Sequence, residues 1–249
     1  MIREHFEFRQ TIATILADEQ RHIEAARSGM MAARQEVERQ IVADPYFFAT
    51  LEPYTQETPG RTPGRMARAA EEAGVGPMAA VAGAIAWAGV EAMVEAGASF
   101  GLIDNGGDIA LVSDREVRVG IFAGGSPLSG RTAFLLPPEE AILGICTSSA
   151  TVGPAISFGT ADAVTVFSHD VAAADAWATA ICNQIARDDT SVLDLLPGTK
   201  VRGVFALIDE VVIRWGDLPP VVRARVDERL ITAGRPPIQD RGRASPRHR

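Results

Sequence analysis

Residues 171–186 constrain the fold more than any other stretch. They read Val-Ala-Ala-Ala-Asp-Ala-Trp-Ala-Thr-Ala-Ile-Cys-Asn-Gln-Ile-Ala. Alanine has the highest helix propensity and loses no side-chain entropy on ordering. The run therefore predicts a helix that neighbouring elements approach closely. The whole chain follows the same logic. Apolar residues make up 47% of it and aromatic residues only 6%, so Ala, Val, Ile and Leu must do most of the packing. Residues 77–97 predict a second such helix, with Gly76-Pro77 at its start and Gly97 at its end, the usual asymmetry of helix termini. The segments Ala84-Ile85-Ala86-Trp87-Ala88 and Ala174-Asp175-Ala176-Trp177-Ala178 are alike. Compositional chance accounts for that likeness better than an internal duplication.

Around these helices the chain reads as a mixture of strands and helices. Residues 6–16 predict a first strand. Residues 18–42 predict a helix whose apolar positions (Ile23, Ala26, Met30, Ala33, Val37, Ile41) follow the 3.6-residue period. Asp44-Pro45 ends it, because a residue before proline is pushed out of the helical region. Residues 45–63, rich in Pro, Thr and Gly, read as a covering loop, and 63–73 as a short helix stopped at Gly74. Short strands are expected at 99–103, 109–113, 117–122, 131–136, 142–147 and 163–167, with 131–136 and 142–147 paired in one sheet. Residues 201–207 and 211–215 predict a hairpin around Ile208-Asp209-Glu210. Frequent hairpins among helices of unequal length favour α+β over a regular parallel array.

The 249 residues suit one large domain or two intimately joined lobes. We expect a domain over 1–218 and an extension over 219–249 that is basic and disordered from about 235, where five Arg stand against one Asp. The formal net charge of −8 argues against a nucleic-acid partner, whose phosphates attract Lys and Arg. Trp87, Glu91 and Glu95 interrupt the apolar run of residues 77–98, which reads as a core helix and not a membrane span. The first residues lack the apolar run of a signal peptide, and two unclustered cysteines make neither a zinc site nor a disulfide framework. The expectation is a cytoplasmic protein without a membrane partner.

Three places could carry chemistry. In Asp104-Asn105-Gly106-Gly107-Asp108, paired glycines let a ligand approach the backbone, and Asn105 and Asp108 add polar groups there. A tight hairpin turn explains the same residues. Cys146-Thr147-Ser148-Ser149, followed by Gly153, Ser157 and Gly159, could wrap phosphates with backbone N–H groups, although the spacing is not that of a Walker loop. A polar loop is the plain alternative. Asp175 and Thr179, four residues apart, share a helix face and offer oxygen to a hard cation such as Mg²⁺. On spacing alone, a solvated pair is the better account. Cys146 is a thiol beside two hydroxyls, which leaves open sulfur or acyl chemistry. The four histidines form no triad: His5 and His248 lie near the ends, His22 on a charged helix, and His169 before Asp170, the expected cap of the alanine-rich helix.

In combination these residues resemble the ApbE flavin transferases. The resemblance rests on Asn105-Gly106-Gly107-Asp108-Ile109, then Thr147-Ser148, Ala163-Val164-Thr165-Val166 and Ala173-Ala174-Asp175-Ala176-Trp177-Ala178-Thr179-Ala180. More closely, the chain is similar to a smaller ApbE-related family of archaea and bacteria, through Cys146 to Ser149 and Ser157-Phe158-Gly159 followed by Ala161 to Val166. The resemblance spans about residues 9–215. It implies an ApbE-like α+β fold, with mixed or antiparallel sheets packed with alanine-rich helices. ApbE enzymes take FAD and, with Mg²⁺, move FMN onto a Thr or Ser of an acceptor protein. By the same resemblance Asp175, Thr179 and the Ala86 carbonyl would hold the metal. Gly106, Gly107 and Asp108 would line the flavin pocket, with Asn105, Thr147, Ser148 and Ser149 nearby, for FAD, FMN or another small phosphate-bearing ligand.

The departures are specific. Trp87 stands where the transferases carry Lys, and a Ser-His-Ile-Ile-Asp-Pro segment is replaced by the short stretch 150–162. Pro154 stands where the smaller family often has His. Fold inheritance does not establish reaction inheritance. A flavin transferase with catalytic Asp175, a binding protein that breaks no bond, and sulfur transfer at Cys146 therefore all stay open at this point.

Overall fold

The structure is a computed structural model that describes residues 1–123, 126, 128–150, 161–225 and 232. Eight antiparallel strands form its main sheet. They are β1 (Ile2–Phe8), β2 (Thr11–Ala17), β3 (Phe100–Asn105), β4 (Asp108–Ser113), β7 (Glu139–Ser148), β8 (Ala163–Ser168), β9 (Val201–Ile208) and β10 (Val211–Gly216), in the order β1-β2-β3-β4-β7-β8-β9-β10. A second sheet has the order β11-β6-β5, from β5 (Val117–Gly120), β6 (Thr132–Leu136) and β11 (Val221–Arg223). The helices are α1 (Gln20–Ala43), α2 (Tyr46–Ala49), α3 (Arg61–Ala73), α4 (Val81–Glu95) and α5 (Val171–Gln184). The α+β fold with antiparallel sheets is as expected.

Alternation along the strands gives the main sheet two apolar faces. Ile15, Ile103, Ala110, Cys146 and Val166 pack with α1, α3, α4 and α5 in one core. Leu102, Leu111, Ile145, Phe167 and Phe205 form the other with Phe134 and Leu136 of the small sheet. Phe134 meets Phe167 and Phe205 edge-on, with ring centroids 5.0 and 5.2 Å apart. That inward face explains why β6 leaves the sheet it was expected to share with β7: its large residues cover the main sheet instead of extending it.

The start of the chain also differs from expectation. Residues 2–17 form a hairpin, broken at Arg9-Gln10, where Arg9 adopts a left-handed φ of 55°. Arg34 of α1 holds this turn through Gln10 and Thr11. The long connection after α1 contains α2. The expected helix at 77–97 begins as a 3-10 turn, Pro77–Ala80, before α4. Pro77–Glu95 is long and apolar enough to cross a membrane by length and composition. In this fold α4 packs against α1, α5, β3 and β4. The residues Gly153, Pro154, Ser157 and Gly159, and the arginine-rich tail from 235, lie outside the described residues.

Candidate functional site

Asp170 caps α5 as expected, accepting from the Ala173 N–H at 3.0 Å. One turn further along, Asp175 points into the protein and is only 7% exposed. Its Oδ2 accepts the Gly83 N–H at 2.8 Å, and the Ala82 N–H also reaches the carboxylate. These N–H groups belong to the first turn of α4, which has no side-chain cap of its own. The N-terminal turn of α4 thus meets a carboxylate supplied from another helix. The approach is close because residue 83 is glycine. A Cβ there would stand 2.9 Å from both the Asp175 Cβ and the Val171 carbonyl oxygen.

The β3–β4 turn ends at the same place. Gly106 and Gly107 have φ values of 73° and 105°, the left-handed pair of a two-residue hairpin loop closed by Asn105 and Asp108. Asp104 accepts the Gly107 N–H at 2.9 Å, and Asn105 donates to the Ala82 carbonyl at 3.0 Å, which ties the turn to α4. Asp108 lies opposite Cys146 in the β4–β7 register and faces the helices. Two carboxyls, Asp108 and Asp175, therefore share the space between sheet and helices.

Burial is the main cause of raised carboxyl pKa values here. It lifts Asp175 to about 7, while the Gly83 and Ala82 N–H groups hold it back. Asp108 is also raised well above the ordinary range, first by burial, then by the charges of Asp175 and Asp104. The Thr147 N–H and the Cys146 thiol act in the opposite direction. Burial comes first for Cys146 as well, followed by the charges of Asp108 and Asp175, and its thiol is pushed well up. The thiol lies 3.6 Å from the Val171 carbonyl oxygen and is fully buried. An activated nucleophile needs the opposite shift and access to substrate, so the expected sulfur chemistry at Cys146 finds no support.

The phosphate loop expected at Thr147, Ser148 and Ser149 is largely strand. Cys146, Thr147 and Ser148 belong to β7, so Thr147 faces away from Cys146 and bonds Thr165 at 2.9 Å on the other side of the sheet. Thr179 is half-buried one turn beyond Asp175, and Ala86 is buried on α4. Asp175, Asp108, the Thr179 hydroxyl and the Ala86 carbonyl offer only hard oxygen donors, the type that suits Mg²⁺. No cluster of three His, Cys, Asp or Glu occurs among the described residues. His169, exposed, places Nδ1 3.1 Å from the Ile142 carbonyl and Nε2 2.9 Å from Arg202. His22, read on a charged helix, is buried, and neither ring nitrogen has a hydrogen-bond partner among the described residues. Spacing alone could not pair Asp108 or the α4 N–H groups with Asp175; the glycine at 83 was the available sign of a close approach.

A family model described as AbpE bacteria matches residues 3–213. A UPF0280 protein of Methanoculleus marisnigri is 79% identical over 234 residues, covering 94% of this chain and 96% of the relative. A UPF0280 protein of Methanosphaerula palustris is 59% identical over 234 residues, covering 94% and 99%. The apo form of the Pseudomonas stutzeri flavinyl transferase ApbE matches with a TM-score of 0.59 at 13% identity, covering 94% of this chain and 98% of that one. At that identity the likeness is one of fold.

Proposed function

The chain belongs to the AbpE bacteria family and, with its UPF0280 relatives, to the ApbE-like superfamily; from that premise we propose that it binds a flavin nucleotide, or a similar small phosphate-bearing ligand, where the Gly106–Gly107 turn meets α5. The observation that carries this reading is the carboxyl pair of buried Asp175 and half-buried Asp108. Their pKa values are raised, and the hydrogen bonds identified at Asp175 come from main-chain N–H groups. Such a pair is costly unless protonated or neutralised by a cation. Mg²⁺ held by Asp175, Thr179 and the Ala86 carbonyl would supply charge neutralisation for ligand phosphates. The protein's own groups would do the rest. Gly106 and Gly107 admit a ligand to the backbone, Asn105 fixes the turn on α4, and the Gly83 N–H orients the Asp175 carboxylate.

The reaction this reading implies is FMN transfer from FAD to a Thr or Ser hydroxyl of an acceptor protein: a phosphoester bond forms to the hydroxyl oxygen, the pyrophosphate P–O bond of FAD breaks, AMP leaves and the hydroxyl proton is released. FAD titrated into the protein by fluorescence should bind in the micromolar range with Mg²⁺, and Asp175→Asn should remove the Mg²⁺-dependent part. No binding at high micromolar FAD would overturn the ligand class.

A second reading, a binding protein without transfer, is favoured by Trp87. It occupies the position where the resemblance expects Lys. Its ring carries the Arg65 guanidinium at 3.8 Å, and Glu91 holds that guanidinium at 2.7 and 2.8 Å. Mass spectrometry of a Thr-containing acceptor peptide incubated with FAD, Mg²⁺ and the protein separates the two: a peptide carrying FMN rules out the second reading.

A further inference from the structure

We propose that Arg131, Arg223 and Arg225 form a separate anion site that takes a small molecule bearing two or more phosphates. The three arginines line one open cavity of about 570 Å³ beside the small sheet, together with Leu128, Thr132 and Ala224. No carboxylate is among the described residues that line it. Several other arginines of this acidic chain are paired: Arg61 and Arg65 with Glu91, Arg115 with Asp18 and Asp114, and Arg202 with Glu139 and Asp217. Arg131, Arg223 and Arg225 take part in no ion pair among the described residues. Three like charges around one cavity repel each other, and an anion removes that cost.

The scaffold is built from paired strands. Arg223 stands opposite Thr132 in the β6–β11 register, the Ala224 N–H donates to the Arg131 carbonyl at 2.9 Å, and Thr132 Oγ1 donates to the Leu128 carbonyl at 2.9 Å. Main-chain pairing therefore fixes the backbone at Arg131 and Arg223, and Arg225 follows two residues beyond Arg223. Guanidinium forks bind phosphate oxygens in pairs, so three of them match a diphosphate better than a single carboxylate. The cavity has the size of an ordinary small-ligand site. The formal net charge of −8 argues against a long polyanion such as nucleic acid as the occupant.

The test is calorimetric titration of inorganic pyrophosphate into the full chain at low salt with EDTA, which removes any divalent cation from Asp175. We expect saturable binding that is about tenfold tighter than for orthophosphate and weakens with added salt. It should weaken by about tenfold or more in the triple variant R131Q/R223Q/R225Q and stay unchanged in D175N. If the triple variant does not fold, R223Q and R225Q singly should each weaken binding by about threefold. Absence of saturable binding, full binding in these variants, or a bound oligonucleotide that pyrophosphate does not displace would overturn the proposal. Because the readout involves neither FAD nor Mg²⁺, its outcome is independent of the flavin reading.

Discussion

Asp175 concentrates the residue-scale physics of this protein. Its carboxyl has a folded-state pKa of about 7, above its ordinary value. A raised pKa means that the folded state holds the proton more tightly than the unfolded chain. Stability from this group is therefore fully present below about pH 4 and is lost as the pH rises through 7. Asp175→Asn keeps an oxygen for the Gly83 N–H but carries no charge. In EDTA, its stability relative to the parent should rise between pH 4 and pH 8, by about 2–4 kcal/mol at most. Urea melts at the two pH values measure it; a difference that stays constant with pH would mean that the carboxyl is not strained by burial. Gly83→Ala probes the same contact sterically. The added Cβ would press on Asp175 and on the Val171 carbonyl, so we expect a loss of about 1–3 kcal/mol, as for overpacked cores. A neutral result would show that α4 can shift away from α5 at little cost.

At the scale of elements, the two sheets are joined by aromatic edges. Phe134→Ala removes contacts to both Phe167 and Phe205 and should cost about 3–5 kcal/mol, read from the urea midpoint. A cost below about 1 kcal/mol would mean that the small sheet docks through other residues. Elements with strong local signals were legible in the sequence. The alanine-rich run at 171–186 predicts the helix that runs Val171–Gln184, and the hairpin around Asp209 lies where its flanking apolar runs place it. What local signals could not decide was partner choice. β6 has an ordinary strand pattern, but whether it extends the main sheet or covers it depends on Phe167 and Phe205, more than thirty residues away. The opening hairpin carries the local pattern of one strand because Arg9-Gln10 is a turn without Gly, Asn or Asp. β11 has three residues, too few for a periodic signal.

At the scale of the whole molecule, the candidate site is assembled from pieces that no window of sequence contains. Gly83 and Asp175 are 92 residues apart, yet they share a hydrogen bond. The family resemblance brought Asp175, Thr179, Ala86 and the glycine turn together, whereas spacing gave each of them a plain alternative. The exposed-Asp alternative fails on burial, which no sequence pattern around Asp175 could reveal. The end of the chain bears on the expected domain over 1–218, because β11 and Thr232 follow that boundary. Pro220 accepts the Leu135 N–H at 2.8 Å, Ala224 donates to Arg131, and Thr232 bonds Asp104 at 2.6 Å beside the glycine turn. A chain ending at 218 would leave β6 with an open edge and uncover Phe134 from one side. Each lost main-chain bond contributes about 1 kcal/mol net, so this shortened chain should lose about 2–4 kcal/mol and self-associate through the edge. A chain ending at 225 keeps β11 and should retain most of the stability while releasing Asp104 from Thr232. Urea midpoints and light scattering on the two chains decide the matter: equal midpoints and a monomeric 1–218 would make β11 dispensable and place the domain boundary at 218.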